Sequence, residues 1–167
     1  YAVKGDVPGA LRYFDLAERY FRALNTHQLG WLLHDRSELL LSVRLVAEAR
    51  EAAEEAVAEH ERMNRRIAVP EVRLHVAQTA ALDGEPGRAV DQANRAMREF
   101  NRQQRPRWAT LARFVVLLSR LAGNQRSGVA VAQLEKAADD LSAAGWPAAS
   151  LESRLLAGRL ALEKGWT

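Results

Sequence analysis

Small and apolar residues recur along the chain at spacings of four, three and four, not in alternation. Ala10, Phe14, Ala17 and Phe21 form one such set, and Ala49, Ala53, Ala56 and His60 a second. Ala89, Ala93, Ala96 and Phe100 form a third, and Ala130, Leu134, Ala137 and Leu141 a fourth. This spacing lays each set along one stripe of an α-helix. The first members are separated by 39, 40 and 41 residues, so the chain repeats itself. Alanine at fixed points lets a neighbouring helix approach closely, while the fourth position fills space. Ala56 and Ala96 are therefore expected to be buried where helices cross. No run alternates with period two beyond a few residues, so no strand is expected.

Turn signals separate the helical stretches. They are Gly5-Asp6-Val7-Pro8-Gly9, Ser42-Val43-Arg44-Leu45, Asp83-Gly84-Glu85-Pro86-Gly87 and a longer segment from Gly123 to Gly128. Glycine stops a helix and proline fits the first turn of the next. Pro70, Pro106 and Pro147 mark three further entries. The pattern predicts helices over residues 7–24, 28–42, 46–63, 70–83, 87–102, 107–122, 128–143 and 148–164. The intervening helices are apolar over a broad face, as at Val72, Val76 and Ala80 or Phe114, Val115, Leu118 and Leu121. The expected architecture is all-α: a right-handed α-solenoid of antiparallel helix pairs, about eight helices in one domain over 1–167.

Two segments, Gly5-Asp6-Val7-Pro8-Gly9-Ala10-Leu11 and Gly84-Glu85-Pro86-Gly87-Arg88-Ala89-Val90, resemble the turn and second helix of a tetratricopeptide repeat. Gly158 and Ala161 are similar to the small positions of that family's first helix. The resemblance covers nearly the whole chain. The period departs from the family's, and Arg44 stands where a turn glycine is expected. The first-helix Trp-Leu-Gly signature is missing, with Arg73 and Arg154 near the expected tryptophan position. The run Leu45-Val46-Ala47-Glu48-Ala49-Arg50 with Glu54-Glu55-Ala56-Val57 is similar to helical arrays that precede caspase-like CHAT protease domains in bacteria. These resemblances imply a protein-interaction scaffold whose concave groove holds a protein or peptide partner. The second implies regulation of an attached effector. Counting back from each turn, the family's groove positions fall on His34, Glu38, Glu71, Gln78, Thr110, Arg113 and Arg159.

Composition narrows the chemistry. Among 167 residues are 30 alanines, 21 arginines, three lysines and no cysteine, which removes disulfides, zinc–thiolate sites and thiol nucleophiles. The longest stretch without a charged side chain, Ala23 to His34, is too short to span a membrane. The expectation is a cytoplasmic protein cut from a longer chain, since Tyr1 is preceded by no initiator methionine. Charge is uneven: residues 1–61 carry a balance of −4, residues 62–126 one of +8 and residues 127–167 one of −1. A basic segment can recruit nucleic acid or an acidic protein. In a chain that uses arginine wherever others use lysine, a solvated helix surface is the favoured explanation.

Catalytic patterns are missing. His60-Glu61 lacks a second histidine four residues on, and His34 and His75 lie on different repeats without neighbouring ligands in sequence. His60 sits at the space-filling position and is expected to pack with one ring nitrogen satisfied. No serine lies in a Gly-x-Ser-x-Gly context, and the adjacent carboxylates Glu54-Glu55 and Asp139-Asp140 diverge around their helices. No enzyme activity, cofactor or metal is expected. Trp31, Trp108 and Trp146 read as wedges between repeats, each indole N–H meeting a loop carbonyl. The alternative function is a nucleic-acid-binding repeat that uses Arg102, Arg105 and Arg107 beside Trp108. Leu151, Leu155, Leu160 and Leu162 on the last helix are expected to leave apolar surface bare and to support self-association.

Overall fold

The computed structural model describes residues 5–123 and 129–163. Eight helices account for nearly all of them: α1 (Val7–Ala23), α2 (Gln28–Ser42), α3 (Val46–Arg62), α4 (Val69–Leu82), α5 (Pro86–Arg102), α6 (Pro106–Ala122), α7 (Val129–Ala143) and α8 (Pro147–Glu163). No strand occurs among the described residues, and no helix there is long and apolar enough to cross a membrane. Each predicted boundary lies within one residue of the observed one. The starts of α5, α6 and α8 shift back onto their prolines because proline's fixed φ already suits the first helical position. Asp6 caps α1, its Oδ1 accepting the Gly9 N–H at 2.9 Å.

The turns share one construction. Gly5, Asn25, Arg44, Asn64, Gly84, Gln104 and Gly145 all adopt positive φ, between 48° and 78°. The first six follow one another at intervals of 19 or 20 residues. At six of these turns the next residue's N–H reaches back five positions to a main-chain carbonyl at 2.7–3.2 Å, on Phe21, Leu40, His60, Ala80, Phe100 and Leu141. This is the Schellman closure, which satisfies carbonyls that a helix end leaves orphaned. Five residues after each left-handed residue comes a buried position, always small or β-branched: Ala10, Gly30, Ala49, Val69, Ala89, Ala109 and Ser150. The 40-residue sequence repeat is therefore two copies of a helix-plus-turn unit half that length.

The described chain falls into two compact units, Tyr1–Glu85 and Pro86–Thr167. In the first, α1 packs on α2, α2 on α3 and α3 on α4, and α2 also touches α4. Leu29, Leu33, Ala56 and Val72 form one core cluster, and Leu40, Ala49 and Ala52 another. Arginines join successive helices: Arg36 of α2 pairs with Asp15 and Glu18 of α1 at 2.9 and 2.8 Å, and Arg73 of α4 with Glu61 of α3 at 2.8 Å. Arg50 of α3 reaches Asp83 and Glu85 in the turn that follows α4.

In the second unit α5 and α6 form one hairpin and α7 and α8 another, with α6 packed on α7. Phe114, Val131, Leu134, Leu141 and Ala157 make a core cluster there. Buried hydroxyls tie hairpin partners to main-chain carbonyls. Ser150 and Ser153 of α8 donate to Ala138 and Leu134 of α7, both at 2.7 Å. In the first unit Ser37 of α2 donates to Ala49 of α3 at 2.5 Å. Ala56 and Ala96 are fully buried as expected. In the fourth stripe Ala130, Leu134 and Leu141 are buried as expected, while Ala138 is buried in place of Ala137, which is only half-buried.

Arg44 occupies a conformation that costs a side chain about 1–2 kcal/mol and glycine almost nothing. Its side chain is exposed, so little packing opposes a change. Arg44→Gly is expected to raise stability by about 1 kcal/mol, measured by urea titration; a loss would mean that the guanidinium holds the turn.

Candidate functional site

Three helices of the first unit bring their chemistry to one place. On α2, Trp31, His34 and Glu38 follow one another at helical spacing, and His34 Nε2 lies 3.7 Å from Glu38 Oε1. On α4, Glu71, His75 and Gln78 share a face in the same way. His60 comes from the last turn of α3. The His34 and His75 rings meet edge to face with centroids 5.5 Å apart, and Trp31 meets His60 at 4.9 Å. One ligating atom each from His34, Glu38 and His75 lies within 4.8 Å of the others.

Burial sets the electrostatics. His60 is 1% exposed and His75 6%. Neither ring nitrogen of His60, and not Nε2 of His75, has a hydrogen-bond partner among the described residues. The expectation that one His60 nitrogen would be satisfied fails for a geometric reason. Its ring lies against Gly30, where a Cβ would stand 2.7 Å from His60 Cε1, so it meets helix main chain already bonded to itself. Burial pushes the pKa of His60 below the ordinary histidine value, and the neighbouring His34 adds to that, while Glu59 opposes it. Burial likewise lowers His75, again with His34, against Glu38, the Ser37 main chain and the Gln78 side chain. Asp35 is raised, chiefly by burial.

Both buried rings therefore take up protons more readily unfolded than folded. The stability they contribute is complete above the unfolded value of about 6.5 and is lost as pH falls below it toward the lower folded values. In chelator-treated protein the urea midpoint is expected to drop between about pH 7 and pH 5. His60→Leu, which copies the residue found at the same register in α7, should flatten that slope. An unchanged slope in the variant would remove His60 from the account.

The structure thus gathers His34, Glu38 and Gln78 around His75, while Glu71 acts electrostatically on His60. The remaining expected residues belong to the second unit. Thr110 donates to the Pro106 carbonyl at 3.1 Å within α6, Arg113 is exposed on α6, and Arg159 pairs with Glu163 at 3.2 Å on α8. They form no such cluster among the described residues. His75 is the residue that sequence reasoning set aside. Its signal was present: it stands 41 residues after His34, one repeat on, and therefore on the next helix of the same kind.

Trp108 and Trp146 of the second unit act as wedges. Trp146 Nε1 donates to the Arg107 carbonyl at 2.9 Å, and Arg107 returns a bond to the Gly145 carbonyl at 2.7 Å. Trp108 stacks on Phe100 at 5.5 Å and meets Trp146 edge-on at 5.0 Å. Arg105 lies over both Phe100 and Trp108, and Arg107 over Trp146. Eight helices, no strand among the described residues and packing between adjacent helices within each unit define an all-α helical array. No protein-family model, curated protein or solved structure matches the chain.

Proposed function

We propose that the chain is a non-catalytic scaffold of tetratricopeptide-like helix pairs, arranged as a right-handed solenoid, that binds a protein or peptide partner in the cytoplasm. Regulation of an attached effector, such as a CHAT protease domain, belongs to the same proposal. The observation that supports it best is the pair of apolar stripes on helix exteriors. Tyr13, Leu16 and Tyr20 line an exposed face of α1, and Leu151, Leu155 and Leu162 one of α8, each residue at least 48% exposed. Single exposed leucines are ordinary, but large apolar residues in helical register mark surfaces that a partner covers. His34, Glu38, Glu71 and Gln78 in one unit, and Thr110, Arg113 and Arg159 in the other, would supply polar specificity. Leu160, by contrast, turns toward the core beside Leu134 and Leu141.

Nucleic-acid binding draws less support. The rings that single strands would stack on, Trp108 and Trp146, already carry Arg105 and Arg107 over their faces.

A photoreactive residue at Tyr20 or at Leu155 tests the scaffold. Each should give a discrete protein adduct, lost when Leu16→Glu or Leu151→Glu charges the same stripe. An adduct with a second copy of the chain, together with concentration-dependent light scattering abolished by Leu155→Glu, would identify self-association. No adduct at either position, with salt-sensitive binding of labelled single strands instead, would replace this reading with the nucleic-acid one.

A further inference from the structure

We propose that His34, Glu38 and His75 form a binding site for one divalent transition-metal ion of the Zn(II) type, a property that goes beyond the scaffold reading and does not depend on it. Three observations carry it. The first is the donor set: two imidazoles and a carboxylate suit zinc, cobalt or nickel, whereas magnesium and calcium prefer oxygen alone. The second is geometry. The three ligating atoms already lie within 4.8 Å of one another, and His34 Nε2 and Glu38 Oε1 within 3.7 Å. Tetrahedral zinc with bonds of about 2.0–2.1 Å holds its ligands roughly 3.3 Å apart. The closure needed is therefore on the order of 1.5 Å. Side-chain torsions can supply it: Glu38 is 61% exposed and His34 lies at the edge of the cluster, so neither needs main-chain movement.

The third observation is independent of the spacing. His75 is more than nine-tenths buried, yet its Nε2 has no hydrogen-bond partner among the described residues. A buried polar atom left unpaired is costly, and a metal ion is a partner that this nitrogen can accept. Gln78 and the Ser37 main chain interact with the same ring, in the manner of the outer groups that orient metal-bound histidines. Three protein ligands from α2 and α4 leave a fourth position, on the side of Glu38, for water or a partner's side chain. The ion would fasten α2 to α4 across α3.

The test is calorimetric titration of Zn(II) into the untagged chain, with Mg(II) as the control metal and Co(II) absorption as a geometric probe. The expected result is saturation at one Zn(II) per chain, a visible Co(II) band that Zn(II) displaces, and a melting temperature raised by Zn(II) but not Mg(II). Gln78→Leu should weaken binding about 10–100-fold, as loss of an outer partner does, and Glu38→Gln by at least as much. Glu38 is exposed, so this variant keeps the fold, as circular dichroism would verify, whereas His75→Ala could simply unfold. His27→Gln, a histidine outside the cluster, should bind as the parent does. Absence of saturable Zn(II) binding, or binding unchanged in Glu38→Gln, would overturn the site.

Discussion

Replacing Phe100 by alanine is expected to cost about 3–5 kcal/mol, the largest effect of any single substitution considered. Phe100 is fully buried in α5, stacks on Trp108 at 5.5 Å and lies beneath the Arg105 guanidinium at 5.1 Å. Its carbonyl also closes the turn into α6. The main-chain part of that role survives the change, because Ala80 occupies the same register position in α4 and its carbonyl closes a turn of the same kind. The loss therefore reports the cavity and the ring contacts alone. Urea unfolding followed through tryptophan fluorescence measures it, since Trp108 sits against the ring. A loss under about 1 kcal/mol would mean that Trp108 and Arg105 collapse into the space.

Two helical glycines should respond with opposite signs. At Gly30 in α2 a methyl group would stand 2.7 Å from Cε1, 2.8 Å from Nδ1 and 3.0 Å from Nε2 of His60. That ring is itself enclosed and cannot swing away. Overpacking of this kind costs about 1–3 kcal/mol, which exceeds or offsets the gain of about 1 kcal/mol from alanine's helix propensity. At Gly158 in α8 nothing lies within 4 Å of the added carbon, so only the propensity gain acts. Gly30→Ala is expected to destabilise by up to about 2 kcal/mol and Gly158→Ala to stabilise by about 0.5–1 kcal/mol. In a His60→Ala background Gly30→Ala should become stabilising. If it stays destabilising there, the obstruction lies elsewhere than the imidazole.

The helices were legible because three independent signals coincide at their ends. Proline opens α5, α6 and α8, glycine stands in the turns at Gly5, Gly84 and Gly145, and the small-residue stripe restarts at a fixed distance. The half-length period was hidden. Four of the seven left-handed turn residues are Asn25, Arg44, Asn64 and Gln104, so composition does not mark them as turns in the way glycine does. What makes them equivalent is a main-chain hydrogen bond, to which any side chain is silent. The division into units Tyr1–Glu85 and Pro86–Thr167 was equally silent, since the stripe in α5 continues the pattern of α3 unchanged. At the histidine cluster, His34 and Glu38 were found by counting back from a turn. His75 was not, because its relation to them lies one whole repeat away and becomes visible only when like helices are set side by side.

The turn closures have a consequence for how the chain is made. Each is fastened by main-chain bonds to residues no more than five positions earlier, and most described helices pack on the one synthesised just before. Structures dominated by such near neighbours form in about microseconds to milliseconds. A ribosome adding about 5–20 residues per second takes roughly 1–4 s to deliver one helix with its turn. Within each unit a helix can thus be laid against its predecessor long before the next has left the exit tunnel, so order along the chain also becomes order in time.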